Sequence, residues 1–500
     1  MIRPRRRTGP WIALIIVLSL IGGCLWGGAK VFGWIGDQFE AVKDGWPDGT
    51  APGDNGTVKD PKIQGLKAGA PITLASEGAV AAVAGNGAIY TATVTVGETE
   101  VVGYEATGGE KFRVKLPMEP KELHLTVVGN LLLVDGEEDF KLPEKDNSRG
   151  VIDVATGTQK WTRPWADRLD VLYIGTDVIA EVRGFNTSSI ERVDLNDGKV
   201  RWSHAGDKNG HYMHGARGVR PAQRWAAADG AADVWAPTRE STFNDLVPFR
   251  QSLSADTAVA VQLQSADKAS TIDLNTGAVK ATGTISKDGD SWLVYNDVAI
   301  FKPVDLDNAL VAYNLSDMKQ KWQYRATAGT TVDNVSPCGE KLVCVQAELS
   351  SGKDAVIAID TTNGTAKWTK NAPTDGTTSI TREGNWAVVG GKLVGGFGPF
   401  GGIGDAALID PNNGNNQFTL GPNLAGHDVA ACAAGRVAIV TWRDAASAVQ
   451  VVVVNVADNT IVGAADVAKK DILQKVSMTD NTLVALNPES RVVQRYTIPT

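Results

Sequence analysis

Beyond residue 70 the chain alternates between short β-branched apolar runs and polar turns, and no helical period of 3.6 is sustained anywhere. Segments 171–174 with 178–182, and 291–295 with 298–302, are separated only by Gly, Thr, Asn and Asp positions. Such spacing predicts strands joined by tight turns. Onto this alternation is laid an eleven-residue phrase that keeps returning: VIDVATGTQKW ending at Trp161, RVDLNDGKVRW at Trp202, AIDTTNGTAKW at Trp368 and LIDPNNGNNQF at Phe418. Weaker copies end at Phe112, Ala281, Trp322 and Gly463. The third position of the phrase falls at Tyr104, Asp153, Asp194, Asp273, Asn314, Asp360, Asp410 and Asn455, in steps of 49, 41, 79, 41, 46, 50 and 45 residues. A fixed period of this length marks a repeat architecture, and only one step, close to double, breaks it.

Each position of the phrase has a physical use. An Asp or Asn at the third position accepts hydrogen bonds from the backbone of the coming turn. Gly157, Gly198, Gly277, Gly364 and Gly414 stand at one fixed place, where the loop needs a positive φ. Met318 occupies that place in the copy ending at Trp322, which predicts a different loop there. The returning strand carries a large aromatic once per unit, at Phe112, Trp161, Trp202, Trp322, Trp368 and Phe418. These six are the candidate docking residues that set the spacing between units.

Two further apolar runs lie between successive phrases, so each unit supplies about four strands. Four-stranded units arranged radially make a β-propeller. The wording D-x-x-[TN]-G-x-x-x-W resembles the tryptophan-docking repeat of the pyrroloquinoline-quinone (PQQ)-like propellers over residues 71–500. That resemblance implies an all-β fold of about eight four-stranded blades. The C-terminal runs KVSMT, TLVAL and VVQRYTI lack the phrase. They are expected to share a blade with an N-terminal strand near 71–75, which closes the ring and leaves nine blades open as an alternative.

Charge and the N-terminus place this body. The formal charge is −8, and residues 1–36 carry five basic side chains and no acid, which leaves −13 on the rest. So acidic a body has no footprint for phosphates, which argues against nucleic acid. After the basic tail 1–10, residues 11–29 carry no charge, enough for roughly 28 Å of helix. The reading is a transmembrane anchor over 11–35, with the N-terminus cytoplasmic and the propeller outside the cell membrane. Ile21-Gly22-Gly23-Cys24 also resembles a bacterial lipobox, which keeps lipidation of Cys24 open. Residues 36–70, rich in Gly, Pro and Asp, read as a flexible linker. The abundance of Ala, Gly and Val is typical of bacterial chains from GC-rich genomes.

Candidate chemistry is sparse. Cys338 and Cys344 flank a hairpin turn, which predicts a disulfide and an oxidising compartment; Cys432 has no partner at that spacing. The doubled step holds an insertion, 207–245, with Asp207, His211 and His214 as a loose metal-ligand set. It also holds Arg217, Arg220, Arg224, Trp225 and Trp235, residue types enriched at interface hot spots. The first set reads as a polar loop, the second as a candidate binding surface. Residues 396–401 match G-x-G-x-x-G, but Pro399 interrupts them and a strand follows, not a helix. No G-x-S-x-G, P-loop or H-E-x-x-H occurs. PQQ-dependent dehydrogenases of the resembling class hold their quinone beside an adjacent-cysteine disulfide, with calcium and a catalytic Asp. This chain has no Cys-Cys pair and no haem-attachment C-x-x-C-H. The expectation is therefore a binding scaffold with no catalytic residue, metal or cofactor, tethered to the membrane and engaging a protein or envelope component. In repeat type it resembles the outer-membrane assembly propeller lipoproteins. A quinoprotein dehydrogenase using the central channel is the second expectation.

Overall fold

The chain divides into two units, Met1–Lys62 and Ile63–Thr500. The computed structural model describes residues 63–499, apart from 76, 139–146, 166–167, 184–187, 206–218, 222–251, 254–258, 266, 287, 372–385, 390–391, 398–403, 420–424, 434, 443–448 and 469–474. The expected tail, anchor, Cys24 and most of the linker lie outside the described residues.

Among the described residues every regular element is a strand, and no helix is long and apolar enough to cross a membrane. The strands pair in chain order into antiparallel sheets. One is built from Val80–Gly85, Ala88–Thr95, Glu98–Glu105 and Glu110–Leu116. Comparable four-stranded sheets span 122–164, 288–325 and 331–371, and the sheet spanning 168–205 gains a fifth strand, Ser252–Leu253. The span 386–468 forms one eight-stranded sheet, because Gly404 and Asp405 pair with Gly426 and Ala425. The final sheet joins both ends of the unit: Lys475–Met478, Thr482–Asn487 and Val492–Thr497 pair in order, and the last takes Lys67–Ala68 and Ile72–Thr73 on its outer edge.

Sequence texture follows position within a sheet. Second strands are covered on both faces and read as continuous apolar runs, as in LLLVDGE and LVCVQAE. Outer strands alternate, as in AKWTKN with the burial pattern eeieie. Apolar clusters form between consecutive sheets, so the core is distributed around the ring. Leu293, Tyr295 and Ile300 of one sheet pack with Val332, Val343 and Val345 of the next. The ring closes in the same way. Leu74, Val80 and Ile89 pack against Val484, Leu486 and Val493, and Ala84 N donates to Ser477 Oγ at 2.8 Å. The architecture is a β-propeller.

Two expectations are corrected. Met318 does not force a different loop. It takes φ +55°, and its N–H donates to Asn314 O at 2.8 Å, as Gly364 donates to Asp360 O at 2.8 Å. The insertion, moreover, does not stand wholly outside the repeat. Val219–Pro221 lies within it and forms the first strand of its sheet, Arg220 in register with Val261. The doubled step holds a strand that the unit cannot do without.

Candidate functional site

The joints between sheets take up most of the polar and aromatic residues of the repeat. At the third position Asp153, Asp194, Asp273, Asp360, Asp410 and Asn455 each accept from a backbone N–H two residues on, at 2.7–3.1 Å. These carboxylates are Asx-turn caps. For Asp273, burial pushes its carboxyl up, but the N–H groups of Asn275 and Thr276 and the ammonium of Lys280 outweigh this, and the net displacement is downward. Asp360 is held down against burial in the same way by Thr362 and Lys367.

The aromatics reach across. Trp161 Nε1 donates to Leu195 O at 2.8 Å, Trp202 to Leu274 O at 3.2 Å, Trp322 to Thr361 O at 2.8 Å and Trp368 to Pro411 O at 2.7 Å. Each acceptor follows the third-position residue of the next sheet's phrase. The rings lie against the turn glycine of that phrase. A Cβ on Gly277 would fall 2.8 Å from the Trp202 ring, and one on Gly364 would fall 2.7 Å from the Trp322 ring. Positive φ and ring contact together demand glycine there. Trp322 is buried; Trp161, Trp202, Trp368, Phe112 and Phe418 are half-buried.

A further copy of the phrase, at 485–495, escapes sequence reading because Arg491 replaces the glycine and Arg495 the aromatic. Arg491 has φ +55°, and Asn487 Oδ1 accepts from Glu489 N at 3.0 Å. Arg495 docks as a tryptophan does elsewhere. Its guanidinium lies on the Gly108 turn of the first sheet, and Nη1 donates to Ala106 O at 2.8 Å.

Beside the joint between sheets 122–164 and 168–205, Arg149 is buried and bonded to Asp135 through Nε at 2.5 Å and Nη2 at 2.9 Å. Trp165 covers it at 4.4 Å, and Arg163 lies 4.9 Å from the Trp161 ring. These are structural cation–π stacks. Cys338 and Cys344, both fully buried, are joined by a disulfide with Cα atoms 5.6 Å apart. It lies in an apolar cluster with Ile409 and Trp368.

The insertion starts from the inner edge of the ring. Val219–Pro221 is the innermost strand of its sheet, and Ser252–Leu253 adds parallel to Arg168–Ile174, the inner strand of the preceding sheet. Arg220 lies on the strand; Arg217, Arg224, Trp225 and Trp235 lie outside the described residues, as do Asp207, His211 and His214. Among the described residues, Glu122, His124 and Glu137 bring possible ligand atoms within 4.8 Å of one another. His124 Nε2 sits 3.4 Å from Glu137 Oε1, and both glutamates are exposed. An open groove of about 540 Å³ beside Thr282, Ser286, Tyr313 and Met318 follows the joint where Ala281 replaces the aromatic.

A propeller whose turns are capped by Asp and docked by Trp is the class this geometry defines. The profile of the family described as outer membrane protein assembly factor BamB matches residues 64–242 and 294–494, and the chain belongs to that family. No curated protein matches the chain. Among solved structures, BamB from Moraxella catarrhalis is 12% identical with a TM-score of 0.38, covering 87% of this chain and 100% of that one. The C-terminal WD40 domain of Sif2 is 9% identical with a TM-score of 0.42, covering 88% and 99%. Sqt1 from Saccharomyces cerevisiae is 8% identical with a TM-score of 0.40, covering 87% and 100%. Superpositions this loose add nothing to the family assignment.

Proposed function

We propose that this protein is a membrane-tethered, extracytoplasmic scaffold that captures a protein of the cell envelope, with the insertion 207–245 as its working surface. One observation carries the reading: the joints consume the repeat's chemistry. The Asp carboxylates cap turns, the indoles donate to backbone carbonyls, and the glycines receive the rings. Residues tied up in this way hold sheets together and are poor candidates for turnover. The family's description supports a role in assembly. The buried Cys338–Cys344 bridge suits an oxidising compartment outside the cytoplasm. The uncharged segment 11–29 behind four arginines supports the anchor. The same reading gives nine blades, eight carrying the readable phrase and a ninth shared by the two ends of the unit, with the sheet 386–468 taken as two blades joined at Gly404–Asp405.

The strand Val219–Pro221 rules out deletion of the whole insertion as a test, because its sheet would lose its inner strand. Substituting Arg217, Arg224, Trp225 and Trp235 together by Ala, in the full chain, should abolish partner capture from membranes while thermal unfolding stays unchanged. Undiminished capture refutes the assignment. A quinone absorbance with Ca²⁺-dependent dye reduction would replace the scaffold by an enzyme. Protease added to intact spheroplasts should digest the propeller and spare the N-terminal arginines. Diacylglycerol on Cys24, read by mass spectrometry, would replace the anchor by a lipid.

A further inference from the structure

The copy of the phrase at 453–463 has no docking side chain of its own. Gly463 stands where Trp368 stands in its unit, yet the place is filled. Residues 64–66 run along the outer strand Thr460–Ala468. Leu66 N donates to Ala464 O at 2.8 Å, Ala464 N donates to Gln64 O at 3.0 Å, and Gly65 bridges Ala464 in parallel. The Leu66 side chain lands on the glycine, and a Cβ built on Gly463 would fall 2.6 Å from Leu66 Cδ2. Leu66 is 9% exposed and belongs to the cluster formed by Val451, Val453, Leu483 and Tyr496, which joins the last two sheets.

From there the same segment crosses to the final sheet. Lys67–Ala68 and Ile72–Thr73 pair with Val492–Thr497, Gly69 N donates to Arg495 O at 2.9 Å, and Leu74 N to Arg491 O at 2.9 Å. Gly69 has no room for a side chain, because a Cβ there would overlap Arg495. Eleven consecutive residues thus hold the outer edges of two neighbouring sheets.

We propose that residues 64–74 are a strap that supplies from outside the repeat the docking group Gly463 lacks, and that the propeller opens first at the joint they hold. At the tryptophan joints the docking side chain belongs to the blade itself and cannot leave unless its strand unfolds. Leu66 is a single side chain at one apolar cluster, backed by a few edge hydrogen bonds, and Lys67, Ala68 and Thr73 beside it are exposed. Segments with few buried contacts and solvent-facing backbone bonds open at the low end of the stability range. Release of the strap leaves Gly463 uncovered and removes the outer pairing of Val492–Thr497, so both joints loosen together.

Native-state hydrogen exchange on the full chain tests this, with Cys24→Ser and Cys432→Ala as background. In that background the amides of 64–74, 460–468 and 492–497 should open together, before those of 131–137 and 342–348. Leu66→Asp should strip protection from the first three segments and leave 80–371 protected. An oxidised Gly65→Cys/Ala464→Cys pair should raise protection of the three segments towards that of the interior. Unchanged protection in Leu66→Asp, or equal loss in every sheet, overturns the proposal. Should Leu66→Asp fail to fold, the locked and unlocked chains decide by themselves. A lock without effect, or strap amides that exchange only with the whole molecule, overturns the strap.

Discussion

Ala281 and Met318 reverse the sizes found at the aromatic joints. Where Trp202 faces Gly277 and Trp322 faces Gly364, a large ring meets a turn without a side chain. At the joint between sheets 219–284 and 288–325 the strand carries Ala281 and the turn carries Met318, buried to 2% exposure in the cluster against which Ala281 packs. The volume has moved across the joint.

This relationship is testable by exchange. Ala281→Trp alone should overpack against Met318 and cost about 1–3 kcal/mol, and Met318→Gly alone should leave a cavity costing about 2–5 kcal/mol. The double variant should recover much of both losses, with a coupling of roughly 1–3 kcal/mol in a double-mutant cycle. Additive losses in denaturant titration would show that the two positions do not share one space.

Trp322 is the most buried of the docking tryptophans. Trp322→Ala should cost about 3–5 kcal/mol, as for other large core aromatics. Trp368→Ala, at a half-buried ring, should cost less. Gly364→Ala should also destabilise, because the new methyl meets the Trp322 ring and a positive φ at once. Unfolding midpoints of the three variants give the ranking.

The turn caps set an acid limit. Asp273 and Asp360 are displaced below their ordinary value of 3.8 in the folded chain, so the unfolded chain binds their protons first as pH falls. Their contribution is complete above about pH 4 and is lost as pH drops through the lowered folded values. Asp273→Asn should keep the turn, because Asn455 and Asn487 cap equivalent turns at 3.1 and 3.0 Å. It should also flatten the acid limb of the stability curve. A steeper limb in the Asn variant would contradict this assignment.

Replacing Cys338 and Cys344 together by Ala removes a bridge with a sequence separation of 6. So short a loop gives about 2–3 kcal/mol in the chain-entropy model. The same loss should separate wild-type protein unfolded with reductant from wild-type protein unfolded without it. No difference between those two titrations would mean that the thiols are free.

Legibility in the sequence followed chemistry that leaves a fixed mark. Asp360, Gly364 and Trp368 sit at invariant offsets because a capped turn, a positive φ and a ring contact each admit few residue types, so the propeller could be read from them. Arg491 and Arg495 do the work of Gly and Trp with residues that match neither pattern. A guanidinium can lie on a backbone turn and donate to a carbonyl much as an indole does, and Arg491 accepts a left-handed φ that its surroundings hold. Leu66 was illegible for a different reason: it completes a unit almost 400 residues away in the chain, and no local pattern announces such a partner. Val219–Pro221 was hidden by its brevity inside a polar insertion. The candidate surface was legible only as composition, since Arg217, Arg224, Trp225 and Trp235 carry no spacing of their own.

Docking pairs of unequal kind give the ring an addressing system. A blade slid one place along would set Met318 beneath an indole that needs a bare turn, or leave Gly463 without Leu66. The guanidinium of Arg495 is matched to the Gly108 turn, where the last sheet of the unit meets the first. Near-identical repeats risk pairing out of order, as tandem arrays do when they misfold by swapping neighbours. At these unlike seams a misplaced blade would carry a steric clash or a void, so the places of those blades are written into the fit of one residue against another.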